Sequence, residues 1–172
     1  MPATIPLTTA LPEGEMVELA RIDVGADCEK DGILLTAVAN WGIRVTSNNQ
    51  IVSISSAGSA NVTFELLRND TVIYRITQTA VQTFLNKSEG PVETATFEIA
   101  DIRYLDFSTR AIKPGNNTYV LRVANITIIE PVISNGASVL TTASVGPVTF
   151  VAEVIDGDKV KKKSKHRPKR RR

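Results

Sequence analysis

An all-β fold is what the sequence predicts: an antiparallel β-sandwich, with a jelly roll as first choice and an immunoglobulin-like sandwich next, followed by a disordered basic C-terminal tail. Three observations carry this. Apolar residues recur at period two rather than 3.6. The apolar content of 42% is mostly Val, Ile, Leu and Ala, with Thr, Ser and Asn heavily used between them, which suits strands and their turns. And the chain's charge is divided: residues 1–158 hold all 18 Asp and Glu but only ten of the 20 Lys and Arg, so a body of net −8 precedes a tail of +10.

The elements follow in chain order. Residues 1–14, with Pro2, Pro6 and Pro12, read as an extended N-terminal arm, including an extended piece at 4–8. Residues 15–157 are the sandwich domain, because about 150 residues suffice for one core and are few for two. Within it, extended runs are expected at 17–24, 33–45, 50–55, 92–106, 118–129 and 148–155, bounded by "SNN", "SAGSA", "KPGNN", "SNGAS" and "SVGP". The clearest local signal is "NVTFELLRNDTVIYRIT". Val62, Phe64 and Leu66 alternate with Thr63 and Glu65; Val72, Tyr74 and Ile76 alternate with Ile73, Arg75 and Thr77. Asn69 and Asp70 between them tolerate positive φ, so a two-residue type I′ hairpin is expected. In "TATFEIADIRYLD" the apolar phase changes from Phe97 and Ile99 to Ile102 and Tyr104, which predicts a bulge between Ala100 and Ile102. About eight or nine strands of this kind must close or stack to bury their faces.

Strands apolar on both faces, such as Ile73 opposite Val72 and Tyr74, or Val151 and Ile155 opposite Val148, Phe150 and Val154, call for a cover beyond the partner sheet. A homo-oligomer, with a trimer favoured, is the expected cover.

The start of the chain has no basic n-region followed by an apolar h-region, so no signal peptide is expected. The longest uncharged stretch, 131–152, is interrupted by Asn135, Gly136, Gly146 and Pro147, so no membrane partner is expected either. A lone Cys28 excludes an intramolecular disulfide, and its acidic neighbours Asp27 and Glu29 oppose a thiolate. The only histidine, His166, lies in the tail, which excludes a histidine-dependent triad on the body. In "DVGADCEKDG" Asp27, Glu29 and Asp31 are spaced as in a calcium loop, but Val38 stands where the closing Glu would be, so a solvated turn is expected. No phosphate-binding glycine motif occurs, and Trp41 is read as core or interface before ligand platform. The expectation is a protein that is not an enzyme and that needs no cofactor or metal.

The order "ARIDVGADCEKDGILLTAVANWGI", then "ANVTFELLRNDTVIYRI", then a threonine-rich strand pair ending in "GPVTFVAEVI", resembles the jelly-roll proteins of the bacterial spore surface. These are the exosporium protein C-like exosporium and coat subunits of spore-forming Bacillota. The resemblance spans roughly residues 16–155. It implies a sandwich like those of tumour necrosis factor and C1q, oligomerisation, a structural role at the spore surface after synthesis in the mother-cell cytoplasm, other spore-surface proteins as partners, and no catalytic residues. The chain has no collagen-like G-X-Y region and no cysteine-rich N-terminus, unlike the fibre or disulfide-linked members.

Residues 158–172 are the tail, and Lys159, Lys161, Lys162, Lys163, Lys165, Arg167, Lys169, Arg170, Arg171 and Arg172 carry its charge. Such a segment cannot build a core and is expected to be disordered, with Pro168 interrupting any helix. As an electrostatic tether it would hold an acidic neighbouring subunit; as a packaging arm it would bind a polyanion such as nucleic acid, the design of many small capsid jelly rolls. "KHRPKRRR" also passes as a nuclear-localisation pattern, a match common in polybasic tails.

Overall fold

A computed structural model of the chain describes residues 9–26, 31–47, 57–83, 92–107, 115–132 and 139–155. Eight strands run through them: β1 (Thr9–Ala10), β2 (Val17–Ala26), β3 (Gly32–Ser47), β4 (Gly58–Arg68), β5 (Thr71–Gln82), β6 (Val92–Asp106), β7 (Gly115–Ile129) and β8 (Val139–Ile155). They form two four-stranded antiparallel sheets, β1-β8-β3-β6 and β2-β7-β4-β5, so the fold is an all-β sandwich. Among the described strands only β4 and β5 are consecutive within one sheet; all other consecutive strands lie in opposite layers. The pairs β1·β8, β2·β7, β3·β6 and β4·β5 are those of one long hairpin, turned at Asn69-Asp70 and rolled up until β8 lies beside β3 and β7 beside β4.

The turn is the expected one. Asn69 and Asp70 have φ of 44° and 65°, the left-handed pair a type I′ turn requires. Asn69 Oδ1 also accepts from the Thr118 backbone N–H at 2.9 Å, which ties the turn to β7.

Alternation sorts the rest. On β3, Ile33, Leu35, Ala37, Ala39, Trp41, Ile43 and Val45 all point between the sheets and are buried. Phe64 and Leu66 from β4 and Tyr119 and Leu121 from β7 meet them from the other layer, each fully buried. Side chains of this size contribute about 1.5–3 kcal/mol each on burial, the main term against chain entropy. Leu11 belongs to the same core, and its N–H donates to the Ala143 carbonyl at 2.9 Å, so the described end of the N-terminal segment lies on the chain's own body.

The bulge expected between Ala100 and Ile102 does not occur: β6 pairs with β3 without a break from Val92 to Asp106. Its apolar phase changes because Phe97 and Ile99 face outward while Ile102 faces the core. The break lies in β8 instead. Ala39 opposes Val148 and Trp41 opposes Val145, leaving Gly146 and Pro147 together opposite Asn40. "SVGP" is thus a bulge inside one long strand rather than a strand boundary, since a bulge accepts Gly and Pro where a regular ladder does not. β4 likewise begins at Gly58, within "SAGSA". The expected strands at 4–8 and 50–55 lie outside the described residues, as does the tail.

Candidate functional surfaces

The two outer faces of the sandwich differ in chemistry. On the first sheet, the outward residues of β6 include Phe97, Ile99 and Leu105, with exposures of 46, 61 and 41%, and β8 adds Val151 at 51%. Leu34 and Val38 of β3 lie half-buried between them. Register explains the packing: Phe97 sits opposite Gly42, where its ring covers the glycine, and Phe107 covers Gly32 in the same way. Asp101 and Arg103 form an exposed pair at 3.5 Å within this face. β6 is the outer strand of its sheet, with no further strand paired to it among the described residues.

The outer face of the second sheet is mainly polar, apart from Val81 and Ile129 at one end, which are 50 and 51% exposed. Across β5, β4 and β7 the register sets Arg75, Glu65 and Arg122 in one row, Thr77, Thr63 and Asn125 in the next. Glu65 is only 2% exposed although it lies on an outer face, because the two arginines fold over it. Arg75 donates from Nε to Oε1 at 2.8 Å and also from Nη2; Arg122 donates from Nε to Oε2 at 2.9 Å and from Nη2 at 2.8 Å. Burial alone pushes the Glu65 carboxyl up, but the hydrogen bonds from Arg122 and Arg75 and their charges outweigh it and hold it below the usual carboxylate range. Thr63 and Thr77 share a hydroxyl hydrogen bond at 2.9 Å. Together with Met16 and Ala124 these residues line a shallow depression of about 550 Å³.

Between the sheets lie two polar clasps. Arg68 Nη1 donates to both oxygens of Asp106, at 2.8 and 2.6 Å, and the Tyr119 hydroxyl donates to Oδ2 at 3.1 Å. This joins β4 and β7 of one sheet to β6 of the other. Burial, then the Asp106 charge, pushes the Tyr119 hydroxyl far above its ordinary pKa, so it stays a donor. At the β5/β6 corner, Trp41 Nε1 donates to Gln78 Oε1 at 2.8 Å, and Gln78 Nε2 donates to the Ile99 carbonyl at 3.2 Å. Trp41 is fully buried, with its ring edge-on to Phe64 at 6.2 Å, which makes it a core residue.

Of the doubly apolar strands, β5 is explained without a partner. Ile73 is an extra residue between Leu66↔Tyr74 and Leu67↔Val72, and Ile73 and Tyr74 both pack against the core. On β8, Val148 and Phe150 pack against the core while Val151 stays outside. Cys28, His166 and the ten cationic tail residues from Lys159 to Arg172 lie outside the described residues. Among the described residues no three His, Cys, Asp or Glu side chains gather as a metal site. The Glu65 row was not singled out from the sequence; the hairpin was its only signal. The chain matches no family model, no curated protein and no solved structure.

Proposed function

We propose that the chain is a non-catalytic structural subunit with a jelly-roll fold. It assembles with copies of itself, a trimer first, in the surface layer of a bacterial spore. Its cationic tail is an electrostatic tether to acidic neighbours. The observation that carries self-assembly is the set of apolar side chains on the outer face of β3, β6 and β8, with Ile99, on the outer strand β6, 61% exposed. An apolar face on an edge strand is a surface that monomers avoid and oligomers cover. Support for the jelly roll is the strand order β1-β8-β3-β6 and β2-β7-β4-β5, the rolled hairpin that yields paired Greek keys. Placement at the spore surface rests on the sequence resemblance, and the tether on the split between the −8 body and the +10 tail.

The test is sedimentation velocity and negative-stain microscopy of the nuclease-treated full chain beside an Ile99→Lys variant. A compact oligomer or ordered sheet that Ile99→Lys converts to a folded monomer is the expected result. A wild-type monomer at all concentrations would reject it. The charge split also favours one second reading, a capsid-like or nucleic-acid-binding jelly roll that uses the tail as a packaging arm. Particles that form only when polynucleotide is restored would establish that reading instead. Immunogold labelling of sporulating cells tests the location.

A further inference from the structure

We infer that the depression on the outer face of β4, β5 and β7 is a binding site for a carboxylate-bearing sugar, a hexuronate unit, held by Arg75 and Arg122. The inference concerns the sheet opposite the assembly face and does not depend on self-assembly.

Two arginines meet one carboxylate here, so the row keeps one net positive charge. The Glu65 oxygens engage Nε and Nη2 of each arginine, and no described residue engages either Nη1. Each guanidinium therefore keeps N–H donors for a second, external anion. Glu65 acts as a positioning residue: its buried carboxylate fixes both forks, which spares the ligand part of the ordering cost. Arg75 is 63% exposed and Arg122 28%, so the donors are reachable from solvent.

The surroundings choose among anions. Beside the arginines stand hydroxyls of Thr63 and Thr77, of which one proton remains after their mutual bond, and the Asn125 amide, which has no hydrogen bond to another described residue. A carboxylate with adjacent hydroxyls, which both accept and donate, matches that set; an acceptor-only inorganic anion leaves the Asn125 carbonyl oxygen and the threonine lone pairs unmatched. Exposed Met16 at the rim offers a polarizable surface to the C–H face of a ring. About 550 Å³ is within the range of small-ligand sites. The depression lies on the face of the sheet, across β5, β4 and β7, so its occupant meets side chains rather than the free backbone edge of β5.

The experiment is isothermal titration calorimetry of the full chain with glucuronate, its methyl ester, glucose and inorganic sulfate. Saturable glucuronate binding is expected, with the ester, glucose and sulfate each at least about tenfold weaker, one lost charge-assisted contact being worth about a decade. Arg75→Lys keeps the charge but loses the fork, and is expected to weaken glucuronate by about tenfold while the variant still unfolds in one cooperative transition. Asn125→Leu is expected to narrow the gap between glucuronate and sulfate. Absent glucuronate binding, equal binding of the ester or of sulfate, or an Arg75→Lys variant that binds as tightly, would each overturn the site. An oligouronate that binds tighter than the monomer by more than its number of units identifies a polysaccharide as the source; equal binding per unit identifies the free sugar. None of these results alters the sedimentation test of assembly.

Discussion

A single methyl group is too much at Gly42. A Cβ there would press into the Thr96 carbonyl oxygen and stand 3.2 Å from the Phe97 ring, and neither a paired backbone nor a ring seated on it can withdraw cheaply. Gly42→Ala is expected to cost about 2–3 kcal/mol in urea denaturation, the range of overpacking strain. Gly25→Ala, where the added carbon meets only Asn116 Oδ1 at 3.9 Å, is expected to stay within about 0.5 kcal/mol. Glu65 gives the second residue-scale prediction. Its folded pKa is lowered, so its ionised form stabilises the fold above the ordinary carboxylate pKa, and that contribution disappears as pH falls through the lower folded value. Glu65→Gln should be less stable than wild type by about 1–3 kcal/mol at pH 7, discounted from a fully buried pair because Arg75 is largely exposed. The gap should close as pH falls below the ordinary carboxylate range and through the lowered folded value. A gap that stays constant across that range in parallel denaturation curves would mean that the carboxylate's charge contributes nothing.

At the scale of elements, two one-residue insertions decide what could be read in advance. The hairpin was legible because alternation and Asn69-Asp70 are both local signals. A two-residue turn alone, counted outward from Arg68↔Thr71, would set Glu65 opposite Tyr74; the extra Ile73 moves Arg75 there. The row Arg75–Glu65–Arg122 therefore exists only through a bulge that no periodicity announces, and through pairing with β7, 57 positions away. β8 makes the same point. Before the bulge Thr141, Ala143 and Val145 face inward, and after it Val148, Phe150 and Ala152 do, so two residues at 146–147 correct the face for the rest of the strand. Outward apolar residues on β6 look like a slipped strand and so suggest a bulge there, whereas the true slip in β8 is concealed by Gly146 and Pro147, which look like a turn. A deletion pair separates these roles. Removing Gly146 leaves Pro147 opposite Asn40 and keeps Val148 opposite Ala39, whereas removing Thr149 shifts either the strand's end or its beginning onto the wrong face. The Gly146 deletion is expected to fold with a lower melting temperature, because Pro147 then stands in a regular ladder, and the Thr149 deletion to lose the cooperative transition.

For the whole molecule, two forces of different character meet in the assembly proposal, and salt separates them. The apolar face of the first sheet is driven by burial, which strongly hydrated salts such as sulfate reinforce. A tether of ten cations works through charge, with a screening length of about 8 Å at physiological ionic strength and about 3 Å at 1 M. Its targets are spread over the body, where Glu15, Asp23, Asp70, Asp101 and Glu153 are exposed. Fourteen residues after Asp158 reach at most about 50 Å when extended, roughly the length of the 16-residue strand β3, so a tail can span to an adjacent subunit. Without the tail, bodies of net −8 repel one another. A chain ending at Asp158 is therefore expected to assemble more weakly than the full chain at 50 mM sodium chloride, and to assemble better as salt rises. The full chain should keep its oligomer but lose higher-order association over the same range. Sedimentation velocity of both chains from 50 mM to 1 M sodium chloride, repeated in sodium sulfate, reads each trend. If both chains respond identically, the tail takes no part in cohesion between subunits, and the apolar face alone must account for whatever assembly is seen.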